Sequence, residues 1–213
     1  MIELLRIVVP FLIVAILAVV LVILVREGWV TWERRRWQRL RSRCLALLGE
    51  LDMVTMDELL PLALKLKRSF PSTIVESVLD EFCMRDNPQP IRQKIAEIYE
   101  YVGFVEKHIG HLQDSKAWQD RAASAEKLGN IGHPRAVLPL IAALLDAKED
   151  QEVKNVAMRA LGSIRDPRSI PPLIESLGLP DPSTGQPLAD VLIRYGEMIV
   201  GPLMEIIASS PRE

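Results

Sequence analysis

His108 and His111 stand three residues apart, with Asp114 three further on, so a helix would carry two imidazoles and a carboxylate along one face. A divalent metal could use that set. Metal sites, however, generally draw convergent ligands from more than one element, and neither HExxH nor CxxC is present to supply them. Solvated or capping histidines are the plainer expectation. Gly129-Asn130-Ile131-Gly132 has the look of a phosphate loop, but its spacing matches neither a Walker loop nor GxGxxG. No GxSxG elbow occurs, and no motif pairs a histidine with Ser or Cys. The sequence therefore predicts no catalytic residue, no cofactor and no metal ligand. Cys44 and Cys83 lie in apolar helical patterns, where buried free thiols in a reducing compartment are expected.

Composition sets the scaffold on which such residues would sit. The 213 residues are 49% apolar and only 5% aromatic, a mixture that suits helices packed on helices better than a β-sandwich. The net charge of −2 hides an asymmetry: residues 26–43 carry seven Arg and two Glu, whereas residues 44–213 sum to −7. Nucleic-acid binding rests on a basic face, so the acidic body argues against that partner.

Ile7 to Val25 is a run of 19 residues without a charge or a strong hydrogen-bonding side chain. As a helix it would span roughly 28 Å, close to the hydrocarbon thickness of a bilayer. A cleaved signal peptide would have a shorter apolar region and a small-residue cleavage site, and a core helix would show a polar face. The run predicts a retained transmembrane helix, with a lipid bilayer as surroundings. Arg26, Arg34, Arg35, Arg36, Arg39, Arg41 and Arg43 follow the run against Arg6 before it, which places the N-terminus outside and the remainder in the cytoplasm, at the inner face of the cell membrane. Trp29, Trp32 and Trp37, interleaved with Arg34, Arg35 and Arg36, are expected to form a membrane-interface belt. The same arginines could attract anionic lipid, although a topology signal accounts for them.

Helix spacing continues through Trp37, Leu40, Cys44, Leu47, Leu48 and Leu51, then through Met56–Lys67. Ser72 or Thr73 could cap a helix to Met84; further helices are expected from Ile91 to Gly103, from Phe104 to Leu112, and from about Ala117 to Leu128, ended by Gly129. The most informative stretch is Leu128 to Ile141, LGNIGHPRAVLPLI, which returns 33 residues later as LGSIRDPRSIPPLI. Such a period marks a stacked repeat. Asp166 offers a carboxylate cap before Pro167, and His133 replaces it, more weakly, before Pro134. A reduced third unit contains Tyr195, Gly196, Met198, Pro202 and Leu203. Stacking is expected to align Ala123 with Val156, Leu128 with Leu161 and Tyr195, Ile131 with Ile164 and Met198, and Leu140 with Leu173 and Leu203.

Residues 117–208 resemble HEAT repeats of the short type found in the family that includes the phycobilisome lyase HEAT-like repeats. The likeness is carried by Ala160-Leu161-Gly162-Ser163-Ile164, by Asp166-Pro167-Arg168 through Pro172-Leu173-Ile174, and in reduced form by Gly196-Glu197 and Val200-Gly201-Pro202-Leu203-Met204. The resemblance implies a right-handed solenoid whose B helices, with Glu175 and Glu205, line a concave side. Some proteins with these repeats act as lyases or hydroxylases, but the metal-ligand His-Glu pairs are missing here.

The expected fold class is all-α: an α-solenoid of HEAT-like helical pairs preceded by one transmembrane helix. The expected segments are an anchor (1–26), a basic and aromatic juxtamembrane segment (27–43), degenerate helical repeats (44–116) and HEAT-like repeats (117–213). Arg135 and Arg168 occupy equal positions in successive units, so they form either a stiffening ladder with acidic neighbours or part of a protein-binding edge together with Glu175 and Glu205. The insertion Gly178–Leu188 is either a connector or a binding loop. The expected function is a membrane-anchored scaffold that binds a protein partner. Alternatives are a structural subunit of a membrane assembly, such as polysaccharide or transport machinery, and a lyase or modifying enzyme on the same repeats.

Overall fold

Helix-forming periodicity carries through to the computed structural model, which describes the backbone of residues 2–176, 185–202 and 204 and the side chains of residues 20–29, 31–176, 188–202 and 204. Among the described residues every regular element is helical. The chain divides into two units, Met1–Gly49 and Glu50–Glu213.

The first unit is one helix, α1 (Ile2–Leu48). The expected segment boundaries at 26 and 43 do not interrupt it. Between them stand good helix formers and no proline, and Gly28 is taken into the helix with its carbonyl accepting from Thr31 Oγ1 at 2.9 Å. The apolar run Ile7–Val25 lies within α1, and its side chains 7–19 fall outside the described residues. Among the described residues no helix is long and apolar enough to cross a membrane.

The second unit is a two-layer stack. Helices α2 (Leu59–Ser69), α4 (Gln89–Val102), α6 (Trp118–Ile131), α8 (Gln151–Ile164) and α10 (Gly185–Ile193) pack in sequence as one layer. Helices α3 (Ser72–Cys83), α5 (Phe104–Asp114), α7 (Val137–Leu145) and α9 (Ile170–Ser176) form the other, with α5 against α7 and α7 against α9. Between the layers lie Leu128, Val137, Leu140, Leu144, Leu161, Ile170 and Leu173, all essentially inaccessible to water. Each helical pair thus closes a core that neither helix could close alone.

The turns explain why the repeat signature takes its form. Gly129 was expected to end its helix, but α6 runs on to Ile131 and Gly132 takes the left-handed cap, at φ +74°. Gly129 instead marks where α6 meets α8: a Cβ there would lie 2.7 Å from both Cα and Cβ of Ala160. Gly162 does the same one unit later, where a Cβ would fall 2.8 Å from Cγ1 of Val191 on α10. After the left-handed cap comes a short 3-10 turn, Pro134–Ala136 or Pro167–Ser169, which feeds α7 or α9. His133 Nδ1 accepts from the Arg135 N–H at 3.3 Å, and Asp166 Oδ1 accepts from the Arg168 N–H at 2.9 Å. The carboxylate makes the shorter contact, as a charged acceptor should.

Three expected alignments change. Ala123 is exposed while Val156 is buried, because Ala122 and Ala125 carry the inner face of α6. Tyr195 and Met198 fall beyond the end of α10, so neither continues its rows: Met198 is exposed, and Tyr195 is buried as a bridge. Its hydroxyl donates to the Leu161 carbonyl at 2.8 Å and lies 2.6 Å from Ser169 Oγ. Leu203 and the insertion 178–184 lie outside the described residues. Both cysteines are free, Cys44 buried and Cys83 partly exposed, and burial pushes each thiol up to about 11.

The close approach of α6 and α8 is open to a direct comparison. Gly129→Ala should destabilise the second unit by about 1–3 kcal/mol in denaturant unfolding, since backbone atoms must separate. Gly110→Ala in α5, where a Cβ meets nothing within 4 Å, should instead stabilise by up to about 1 kcal/mol through helix propensity.

Candidate interaction surface

Each of the residues that suggested chemistry has a definite place. His108 lies on the inner stripe of α5 with Phe104, Val105, Ile109 and Leu112, and is buried. The expectation of a solvated or capping histidine fails for this residue. The stripe's spacing could have shown it, since His108 is four residues from both Phe104 and Leu112. Its Nε2–H donates to Glu76 Oε1 of α3 at 2.8 Å, leaving Nδ1 without a partner. Lys107 Nζ donates to the other Glu76 oxygen at 2.9 Å. Beside them Asp80 accepts from Tyr99 of α4 and pairs with Lys127 of α6. These contacts tie α3 to α4, α5 and α6. His111 and Asp114 are exposed; the His111 ring meets that of His108 edge to face at 6.1 Å, but no group of three or more potential ligands could hold a metal among the described residues.

Burial holds the His108 imidazole below its ordinary pKa, outweighing the raising influence of Glu76. Burial alone would raise the Glu76 carboxyl, but hydrogen bonds from Lys107 and His108 hold it below the usual range. The network is therefore built around a neutral imidazole and a charged carboxylate.

Arg135 and Arg168 are exposed at equal positions of successive turns. Arg135 pairs with Glu100 of α4 and, at 2.8 Å, with Glu106 of α5. Arg168 binds Asp166 through Nε at 2.9 Å and Nη2 at 2.7 Å, and Nη2 also donates to the Pro134 carbonyl at 3.2 Å. Hydrogen bonds to these acids raise both guanidinium pKa values. Each arginine thus ties its turn to the preceding helical pair. Glu175 is exposed on α9, and Glu205 lies outside the described residues. On α1, Trp29, Trp32 and Trp37 are exposed among Arg34, Arg35 and Arg36, and the Arg36 guanidinium sits 5.6 Å above the Trp32 ring.

A cleft of about 680 Å³ opens on the edge of the second unit between α4, the turns that follow α6 and α8, and Arg194. The sequence reading missed it. Its rim carries Arg92 of α4, Arg165 at the end of α8, and Arg194 just after α10. Arg165 sits left-handed at φ +58°, where the preceding unit has Gly132 and the next left-handed residue is Gly196. The exchange of Gly132 for Arg165 in the 33-residue alignment was the signal available in the sequence.

Residues 106–191 match the family model for HEAT repeats. No curated protein matches the chain. The match begins within α5 and so takes in one helix upstream of the legible repeat.

The buried imidazole gives a pH test. In the fold His108 resists protonation, so below about pH 6.5 the unfolded chain takes up its proton first and stability falls as the pH drops. Above that pH this contribution is fully present. Glu76, held low in the fold, adds a further loss as the pH drops below about 4.5. Thermal melts followed by circular dichroism should show a lower Tm at about pH 5.5 than at 7.5, and His108→Gln should reduce that difference.

Proposed function

We propose that this chain is a single-pass membrane protein whose helical stack serves as a protein-binding scaffold on the cytoplasmic side. HEAT repeats generally mediate protein–protein scaffolding, and typically without enzymatic activity. The observation that carries the membrane half of the reading is the exposure of Val20–Val25. Successive helix positions turn by about 100°, so six consecutive residues sample every face. All six are apolar, and each is 45–66% exposed. A helix apolar on every face and covered on none suits lipid, not a protein core.

The dimensions fit this reading. Seven arginines after the run favour a cytoplasmic body. At about 1.5 Å per residue, Trp29 stands roughly 6 Å past Val25 and Trp32 roughly 10 Å, near the headgroup layer. Trp37 lies roughly 18 Å past it, beyond that layer for an upright helix. The interfacial belt is accordingly assigned to Trp29 and Trp32, while Arg34, Arg35 and Arg36 act on anionic headgroups through longer-range attraction. Arg135 and Arg168 are occupied by internal acids, so the protein partner is assigned to surface outside that ladder.

In membrane fractions the full chain should resist extraction by alkaline carbonate, and a chain lacking residues 1–25 should be released. A C-terminal tag should be shielded from protease added outside intact cells. Carbonate extraction of the full chain, or digestion of the tag from outside, would overturn the anchoring or the orientation respectively. Arg135→Ala should lower stability while leaving the set of co-purified proteins unchanged.

A further inference from the structure

Of the nine arginines of the second unit among the described residues, five are paired with acids. Arg85 pairs with Glu81, Arg121 with Glu149, Arg135 with Glu100 and Glu106, Arg159 with Glu152, and Arg168 with Asp166. Arg92, Arg165 and Arg194 have neither an ion pair nor a hydrogen bond among the described residues, and all three rim the same cleft. They come from α4 and from the residues that directly follow α8 and α10, so their convergence is a product of stacking and not of local sequence.

The cleft's own acids do not neutralise them. Asp166 is taken up by Arg168 and by the backbone of its turn. Glu97 faces the buried His133, with Oε1 3.8 Å from Nε2. Gln89 and Gln93 add amide groups that could hydrogen-bond a bound backbone. Arg165 is held at a backbone conformation that costs a non-glycine residue roughly 1 kcal/mol, where its neighbours in the repeat use glycine. A helix C-terminus favours a cation, but that benefit does not require a left-handed arginine.

We propose that this cleft binds an extended acidic segment of a protein partner, its carboxylates received by Arg92, Arg165 and Arg194. The inference rests on the scaffold reading and deepens it by naming the surface and the partner's chemistry. Helices packed side by side lie about 8–10 Å apart, so Arg165 and Arg194 are offered at about that interval. An extended chain rises about 3.3 Å per residue, which brings carboxylates at every third position into step with the rungs. Planar guanidinium groups suit carboxylates through paired hydrogen bonds.

The test uses the full chain in non-ionic detergent and a short fluorescein-labelled peptide with Glu at every third position in a Ser/Gly background. Fluorescence anisotropy should show saturable binding that weakens with salt, and none to the same peptide with Gln in place of Glu. The triple variant R92Q/R165G/R194Q should bind at least tenfold more weakly. R165G alone, which restores the residue type of Gly132 and Gly196 and removes the cost of a left-handed side chain, should weaken binding without lowering Tm, so a folding defect is separated from a binding defect. Equal binding by the variants, or no saturable binding of the Glu peptide, overturns the assignment. Displacement of the peptide by lower concentrations of water-soluble phosphatidylserine also overturns it, giving the cleft to a lipid headgroup. If the triple variant still co-purifies the same proteins from membranes, the cleft assignment fails and the scaffold reading stands.

Discussion

The stack in the second unit depends on the absence of side-chain atoms at two points. Gly129 lets α6 rest against the backbone of Ala160 on α8, and Gly162 lets α8 meet Val191 on α10. The surrounding leucines, valines and isoleucines can interdigitate only because the helices come this close. Glycine inside a helix ordinarily costs about 1 kcal/mol, and here that cost is offset by the packing it permits. The same residue type has a second use three positions later, where Gly132 supplies the left-handed turn. Spacing and turning are thus assigned to separate glycines in one short motif.

Polar groups divide by what the stack does with them. Most arginines of the second unit bind acids within it, and several of these contacts cross from one helical pair to another. Arg121 is one such group, held by Glu149 at 2.6 Å and by the Ser115 carbonyl at 2.8 Å. The cluster of Glu76, Lys107 and the buried His108 is another, set where the repeat motif is no longer legible. Helical pairs that lack the signature are therefore joined by side-chain networks. Those that have it are joined mainly by close backbone approach and by the arginines of the turns. Against this background Arg92, Arg165 and Arg194 stand out as unpaired arginines that meet at one cleft.

The first unit follows simpler rules. After Pro10 its residues include no further proline up to Leu48, so one helix forms across segments of different composition. Composition changes along this helix from apolar to basic and aromatic without changing its backbone. The boundaries expected at 26 and 43 follow changes of composition, and secondary structure does not register them.

The sequence by itself determined the helical class, the 33-residue period and the caps at His133 and Asp166, because these depend on spacing along the chain and on residues a few positions apart. Its glycines and prolines also announced where the turns would fall, to within three residues. Tertiary structure decided what Gly129 is for, since a helix contact and a helix end call for the same residue. It likewise moved Tyr195 from a repeated core row to a bridge between Leu161 and Ser169, placed His108 inside, and brought Arg92, Arg165 and Arg194 to one cleft. Those outcomes depend on which helices become neighbours, and residues 70 or 100 positions apart carry no local signal of their meeting.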